Sequence, residues 1–199
     1  MKKVYVFLAE GFEEMEAVTP VDLLRRVQEG VVDVKLVSVT GDKAVTGAHG
    51  ITYQADLLFE EIEDDADMLV LPGGMPGSLN LDASPYTDEV ISAVMKSGGR
   101  LAAICAAPLV LGRRGLLNGK NATCFPGFEN QLEGVKNYNI SVKKKERLTE
   151  NESNENNELV NLNLTDKIGA FILFGVLMLF GGIYIVFNYK EISNDCTCI

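Results

Sequence analysis

Apolar residues fall along this chain in two alternating rhythms. Apolar runs at 3–9, 67–71 and 101–104 predict strands buried on both faces, as in a parallel sheet, and 33–39 is a further predicted strand. Between them the spacing becomes helical. A helix is predicted from about Glu14, with Val18, Val21, Leu24 and Val27 on one face, another over 86–95 and a third over 107–114. Gly11-Phe12, Gly41-Asp42 and Pro72-Gly73-Gly74 supply turns. Val45 and residues 51–53 predict a short hairpin or excursion around Gly47 and Gly50, and 122–124 a further short strand. Strands separated by single helices require right-handed crossovers, which gives an α/β fold with a parallel sheet sandwiched by helices. Ligands in such sheets bind beyond the carboxyl ends of the strands, where 11–16, 72–77 and 105–108 are expected to converge.

This pattern stops near residue 135. From 137 to 166 the chain is rich in Asn, Glu and Lys, with Lys143-Lys144-Lys145 at its centre, and has too few apolar residues to fold by itself. Residues 168–187 carry no charge. As a helix they would span roughly 30 Å, the thickness of a bilayer core. Lys167 and Lys190 bracket this run, and Tyr184 and Tyr189 lie near one end. The expected organisation is an α/β domain over 1–135, a polar disordered linker over 136–166, a transmembrane helix over 167–190 and a short tail over 191–199. The amino terminus does not resemble a signal peptide. The basic cluster 143–147 precedes the span, so the folded domain is expected in the cytoplasm, tethered to a membrane through 168–187.

Composition narrows the chemistry. The chain has 199 residues, 47% of them hydrophobic, enough to bury one core. With 18 basic against 28 acidic side chains its net charge is −10, which repels phosphate backbones and argues against a nucleic-acid partner. A single histidine, His49, excludes sites that need two imidazoles. The four cysteines, Cys105, Cys124, Cys196 and Cys198, are too few and too unevenly spaced for a disulfide scaffold.

Cys105 is the most informative residue. It follows Leu-Ala-Ala-Ile and precedes Ala-Ala-Pro-Leu, where a strand turns abruptly into a helix, and its small neighbours allow the strained turn of a nucleophile elbow. Free amides and the positive end of the following helix are expected to favour thiolate over thiol. Cys124, at a strand end without an elbow, reads as a buried inert cysteine. Glu13, Glu14 and Glu16 suit a helix start, and only one of them is expected to point inward. A carboxyl group close to a thiolate would have its pKa raised by desolvation and like charge, and so could stay protonated and hydrogen-bond the sulfur. Pro72-Gly73-Gly74 offers unobstructed amides as a candidate oxyanion cradle. His49 lies in a Gly-rich excursion, with nothing in its position to pair it with Cys105.

Gly11-Phe12-Glu13-Glu14-Met15-Glu16 followed by Pro20-Val21-Asp22, Leu71-Pro72-Gly73-Gly74, and Ala103-Ile104-Cys105-Ala106-Ala107-Pro108 together resemble three signatures of the ThiJ/PfpI superfamily, in its Parkinson-disease-protein (protein deglycase) branch. The resemblance covers about 1–135. It implies a flavodoxin-like fold, chemistry on small oxoaldehydes of the glyoxalase III or deglycase type without a cofactor, and a homodimer. It also implies that Cys105 is the nucleophile, Glu16 the carboxyl group hydrogen-bonded to it, and Gly74 and Ala106 the donors of oxyanion amides. Where members of the branch often carry a histidine before a proline, this chain has Phe125 before Pro126. After about 135 the family's further strands, Arg-Gly-Pro-Gly segment and closing helix are not recognisable, so the domain is expected to be C-terminally truncated. The alternatives to an enzyme are a redox sensor using Cys105 and a membrane-tethered interaction protein with an inactive remnant fold.

Overall fold

The computed structural model describes residues 1–63, 65–138 and 184–188. A six-stranded sheet is built from β1 (Lys2–Leu8), β2 (Val32–Ser38), β5 (Leu57–Leu58), β6 (Met68–Leu71), β7 (Arg100–Ile104) and β10 (Tyr184–Asn188), in the order β10-β7-β6-β1-β2-β5. Between them lie α1 (Glu14–Arg25), the antiparallel hairpin of β3 (Ala44–Thr46) and β4 (Thr52–Gln54), α2 (Gly77–Ala83), α3 (Pro85–Ser97) and α4 (Pro108–Arg113). β8 (Asn121–Ala122) pairs in parallel with β9 (Asn137–Tyr138). All pairings among β1, β2, β5, β6 and β7 are parallel.

The continuous apolar character of β1 has a direct cause: both faces of the sheet are covered. Tyr5, Phe7 and Ala9 point into one core, with Val90, Ile91 and Val94 of α3 and Leu109 to Leu111 of α4. Val4, Val6 and Leu8 point into the other, with Ala17, Val21 and Leu24 of α1 and Val45 of the hairpin. The predicted face of α1 is corrected. Val18 and Val27 are only partly buried, because a spacing of three drifts by about 60° per step on a helix of 3.6 residues per turn, whereas Ala17, Val21 and Leu24 follow its true period. β5 and α2 escaped the sequence pattern. β5 has only two residues, and α2 follows a Pro- and Gly-rich segment that reads as loop.

Tyr184–Asn188 lies antiparallel on β7, with Tyr184 opposite Ile104 and Asn188 opposite Arg100. A membrane helix over 168–187 is therefore not what its last residues form. Tyr, Ile, Val and Phe in succession suit an extended strand, and the open edge of β7 offers them backbone partners. Residues 168–183 of that expected span, and 139–166 of the expected linker, lie outside the described residues. Among the described residues, no helix is long and apolar enough to cross a membrane.

Phe7 is fully buried at the centre of the sheet and meets Phe59 edge-on at a centroid distance of 6.5 Å. Phe7→Ala is expected to cost about 3–5 kcal/mol in urea unfolding. A loss below about 1 kcal/mol would show that this core does not carry the stability of the domain.

Candidate active site

β1, β6 and β7 are neighbours, so the loops leaving their carboxyl ends lie side by side. They carry Gly11 to Glu13, Pro72 to Pro76 and Cys105 to Ala107. Backbone bonds lock them together: the Glu13 N–H donates to the Gly73 carbonyl at 2.9 Å and the Gly77 N–H to the Gly11 carbonyl at 3.1 Å. Cys105 has φ +59°, the left-handed region, and among the described residues it alone does so without being glycine. Such a conformation costs on the order of 1–3 kcal/mol and persists only where the surroundings enforce it. The enforcing contacts are visible: the Phe125 N–H donates to the Cys105 carbonyl at 2.7 Å, and the Ala107 N–H donates to that of Ile104 at 2.9 Å. The bend presents a half-buried sulfur to the loops of β6 and β1.

Around that sulfur the structure brings together all four residues singled out from the sequence. The backbone N–H groups of Gly74 and Ala106 both hydrogen-bond the Cys105 sulfur, and the Glu16 carboxyl shares a hydrogen bond with it. Glu16 Oε2 also accepts the Gly73 N–H at 2.8 Å. The glycines are a steric requirement. A Cβ on Gly73 would stand 2.6 Å from Glu16 Oε2 and 2.7 Å from the Cys105 Cβ, and one on Gly74 (φ +90°) would collide with the backbone of Gly11 and Glu13.

Burial raises the Glu16 carboxyl to about 7, and the Glu13 charge adds to it, while the Gly73 N–H and the Cys105 thiol pull the other way. Burial also pushes the Cys105 thiol up to about 11, followed by the Glu16 charge, against the Ala106 and Gly74 amides. The expected low-pKa thiolate is therefore corrected. α4 begins only at Pro108 and is six residues long, so its dipole is weak beside the desolvation of the sulfur. The two groups titrate as a pair. With Glu16 ionised the sulfur keeps its proton; with Glu16 protonated, its repulsion of a thiolate disappears.

Two of the three acids at the start of α1 point inward, not one. Glu14 is 3% exposed, and its carboxylate accepts the His49 N–H and faces His49 Nδ1, each at 2.7 Å. Burial tends to raise the Glu14 pKa, but the His49 ring and backbone N–H groups overcome it and hold the carboxyl below its ordinary value. His49 is raised in turn, by Glu14 first and then by Glu13, whose Oε1 is 3.7 Å away. Glu13, Glu14 and His49 have the spacing of a metal-ligand group, yet the two Glu14 oxygens are already engaged with His49. The histidine thus serves the loop rather than the nucleophile. Cys124 packs on the α3/α4 side of the sheet and Cys105 on the α1 side. Burial, then the Glu129 charge, pushes Cys124 up to about 11.

The sequence matches the DJ-1/PfpI family over residues 2–163. The chain belongs to this family. It is 41% identical over 133 residues to Protein DJ-1 homolog B of Arabidopsis thaliana, covering 66% of this chain and 30% of that protein, so it spans about a third of that relative. It is 33% identical over 132 residues to Deglycase PYRAB04690 of Pyrococcus abyssi, covering 65% of this chain and 76% of that one. Among solved structures, the C103A mutant of the DJ-1 superfamily protein STM1931 from Salmonella typhimurium superposes with a TM-score of 0.64 at 31% identity, covering 91% of both chains. The flavodoxin-like arrangement expected from the sequence motifs is thus the fold of this DJ-1/PfpI chain.

Glu16 generates a signed pH dependence. Its folded pKa of about 7 lies above the ordinary value of 4.5. The folded chain thus holds a proton that the unfolded chain has released between those values, and Glu16 weakens the fold progressively as pH rises from about 4.5 to 7. Glu16→Gln is expected to remove that component, leaving the variant relatively more stable at pH 8 than at pH 4.5 in paired urea titrations. Parallel stability curves for parent and variant would contradict the raised carboxyl. Gly73→Ala is expected to separate Glu16 from Cys105 and return the Glu16 carboxyl resonance, followed by NMR, toward the ordinary range. An unmoved titration would show that the glycine gap is not needed.

Proposed function

We propose that this DJ-1/PfpI chain is a cysteine enzyme acting on small 2-oxoaldehydes, of the glyoxalase III or deglycase type, and that its reaction requires no bound cofactor. The observation that carries the reading is the partly buried Glu16 carboxyl, with a pKa near neutrality, hydrogen-bonded to a strained Cys105 whose sulfur also meets two backbone N–H groups. A Pyrococcus relative that bears the name deglycase supports the same class.

Ionised Glu16 takes the Cys105 proton as the sulfur adds to the aldehyde carbon, so the nucleophile is created during the attack rather than stored as thiolate. The N–H groups of Gly74 and Ala106 stabilise the developing alkoxide, which becomes the hydroxyl of a hemithioacetal. Glu16 then moves the proton from the former aldehyde carbon to the neighbouring carbonyl carbon through an enediol. The resulting thioester is hydrolysed by water, releasing a 2-hydroxy acid and the free thiol. One carbon is oxidised and its neighbour reduced, so no outside oxidant enters.

A second reading, a redox sensor, is favoured by the same donors. A sulfinate on Cys105 would be held by the Gly74 and Ala106 amides and by protonated Glu16. Intact-mass analysis after mild peroxide treatment is expected to show two oxygens gained on Cys105 if this reading holds, and no selective gain would end it.

For the enzyme, lactate formation from methylglyoxal is the direct test. Cys105→Ser is expected at background and Glu16→Gln about 10²–10⁴-fold below the parent. The parent kcat/KM is expected to rise with pH through about 7 as Glu16 ionises. A Cys105→Ser variant as active as the parent would refute the mechanism.

A further inference from the structure

Two segments grip Cys105. The N–H of Gly74, in the loop after β6, meets its sulfur, and the N–H of Phe125, in the segment after β8, donates to its carbonyl at 2.7 Å. Neither grip ends at the site. The loop of Gly74 leads into α2, where the Ser78 N–H donates to the Gly74 carbonyl at 2.9 Å, and α2 carries Asp82. Beyond Phe125 two consecutive turns form a short rod. The Phe128 N–H donates to the Phe125 carbonyl at 3.2 Å, and the Gln131 N–H to the Phe128 carbonyl at 2.9 Å. The Phe125 and Phe128 rings meet edge-on along this rod, with centroids 6.4 Å apart.

Asp82 and Gln131, the far ends of the two grips, meet on one side chain. Arg113, the last residue of α4, directs Nη1 to Asp82 Oδ2 and donates from Nε and Nη2 to Gln131 Oε1, at 3.1 and 2.7 Å. Three N–H groups of one planar guanidinium thus span an acid on α2 and an amide on the rod, a geometry that a single ammonium cannot reproduce. Asp82 is also held by Arg114 Nη1 at 2.6 Å. Gly112 lets the rod lie directly on α4: a Cβ there would stand 2.7 Å from the Gln131 carbonyl oxygen and 3.0 Å from the Cα of Leu132, which is fully buried. The Arg113 side chain is 40% exposed, so its ion pair is screened and adds little to global stability. What the fork supplies is a fixed distance between two segments. That matters at an elbow whose left-handed backbone persists only under constraint.

We propose that Arg113 is a positioning residue for Cys105: by tying Asp82 to Gln131 it locks together the two segments that hold the elbow, and so keeps the sulfur against Gly74, Ala106 and Glu16. This rests on the reading of Cys105 as the nucleophile. Arg113 acts through other residues. When the tie is released the rod moves away, the Phe125 bond opens, and Cys105 relaxes away from Glu16.

Two measurements on the full chain read the elbow without turnover: amide exchange at Phe125, and the pH profile of Cys105 alkylation by iodoacetamide. Arg113→Met and Gln131→Leu are each expected to lower Phe125 amide protection about tenfold with the urea midpoint near that of the parent, and the double variant to add little to either single one. Gln131→Glu, which keeps an acceptor oxygen, is expected to match the parent, and Arg113→Lys to fall between. In Arg113→Met the alkylation midpoint is expected to move down from about 11 toward the ordinary thiol range, as the sulfur leaves Glu16 and its burial. Lactate formation from methylglyoxal is expected to fall about tenfold in kcat with KM little changed. Phe7→Leu, which weakens the core far from the tie, is the control. If it moves Phe125 and Cys105 as much as Arg113→Met does, the role is merely structural and the proposal is overturned. Exchange and alkylation left unmoved by both Arg113→Met and Gln131→Leu overturn it too, whatever the turnover. A parent without turnover, in which both elbow readouts move as expected, overturns the enzyme reading and supports the tie.

Discussion

A partly buried carboxyl and a half-buried thiol share one hydrogen bond at the meeting point of three loops, and the local structure is arranged around that contact. Glu16 alone in this position would suffer an uncompensated desolvation penalty, as would Cys105. Together they compensate each other, with the Gly73 N–H on the carboxyl and the Gly74 and Ala106 N–H groups on the sulfur. None of this fits unless the loop after β6 carries two residues without side chains, because a Cβ at Gly73 would occupy the space where the carboxyl and the cysteine meet.

The start of α1 is held from two sides. Glu14 and Glu16 are two residues apart, about 200° around the helix, so they leave it in nearly opposite directions. Glu14 goes to the loop between β3 and β4 and takes the backbone and ring of His49; Glu16 goes to Cys105. The first turn cannot rotate without breaking one of these contacts, and the Glu13 N–H bond to the Gly73 carbonyl limits translation as well. The hairpin, which has no part in the six-stranded sheet, thereby contributes to the orientation of a carboxyl group on the opposite side of α1.

The resting protonation of the pair determines how a nucleophile of this kind is activated. A sulfur kept as thiol by burial and by a neighbouring carboxylate is protected from indiscriminate reaction, since the thiolate is the reactive form. In the proposed reaction the carboxyl that suppresses ionisation is also the base that removes the proton, so that one contact would serve both restraint and activation.

Much of this was legible without coordinates. The continuous apolar runs identified β1, β6 and β7 because a strand buried on both faces has no polar alternation to obscure it, β2 was read as a strand from its Val- and Leu-rich stretch, and Leu71-Pro72-Gly73-Gly74 and Ile104-Cys105-Ala106-Ala107 marked two loops of the site. Linear sequence failed where contacts between distant segments decide. The inward face of α1 is set by which residues meet β1 and the hairpin, so Ala17 displaced Val18 there. Tyr184–Asn188 looked like the end of a membrane helix until β7 offered it an edge. Glu14 looked like one more surface acid until His49, 35 residues away, closed over it. By itself the sequence determined the α/β class and the strands β1, β2, β6 and β7, and its resemblance to a family pointed to Glu16 and Cys105, because periodicity, turn chemistry and local motifs are properties of neighbouring residues. Only the tertiary structure decided the titration of that pair, since desolvation and the charge of Glu13 act through space and depend on how completely β1, β6 and β7 close around the sulfur.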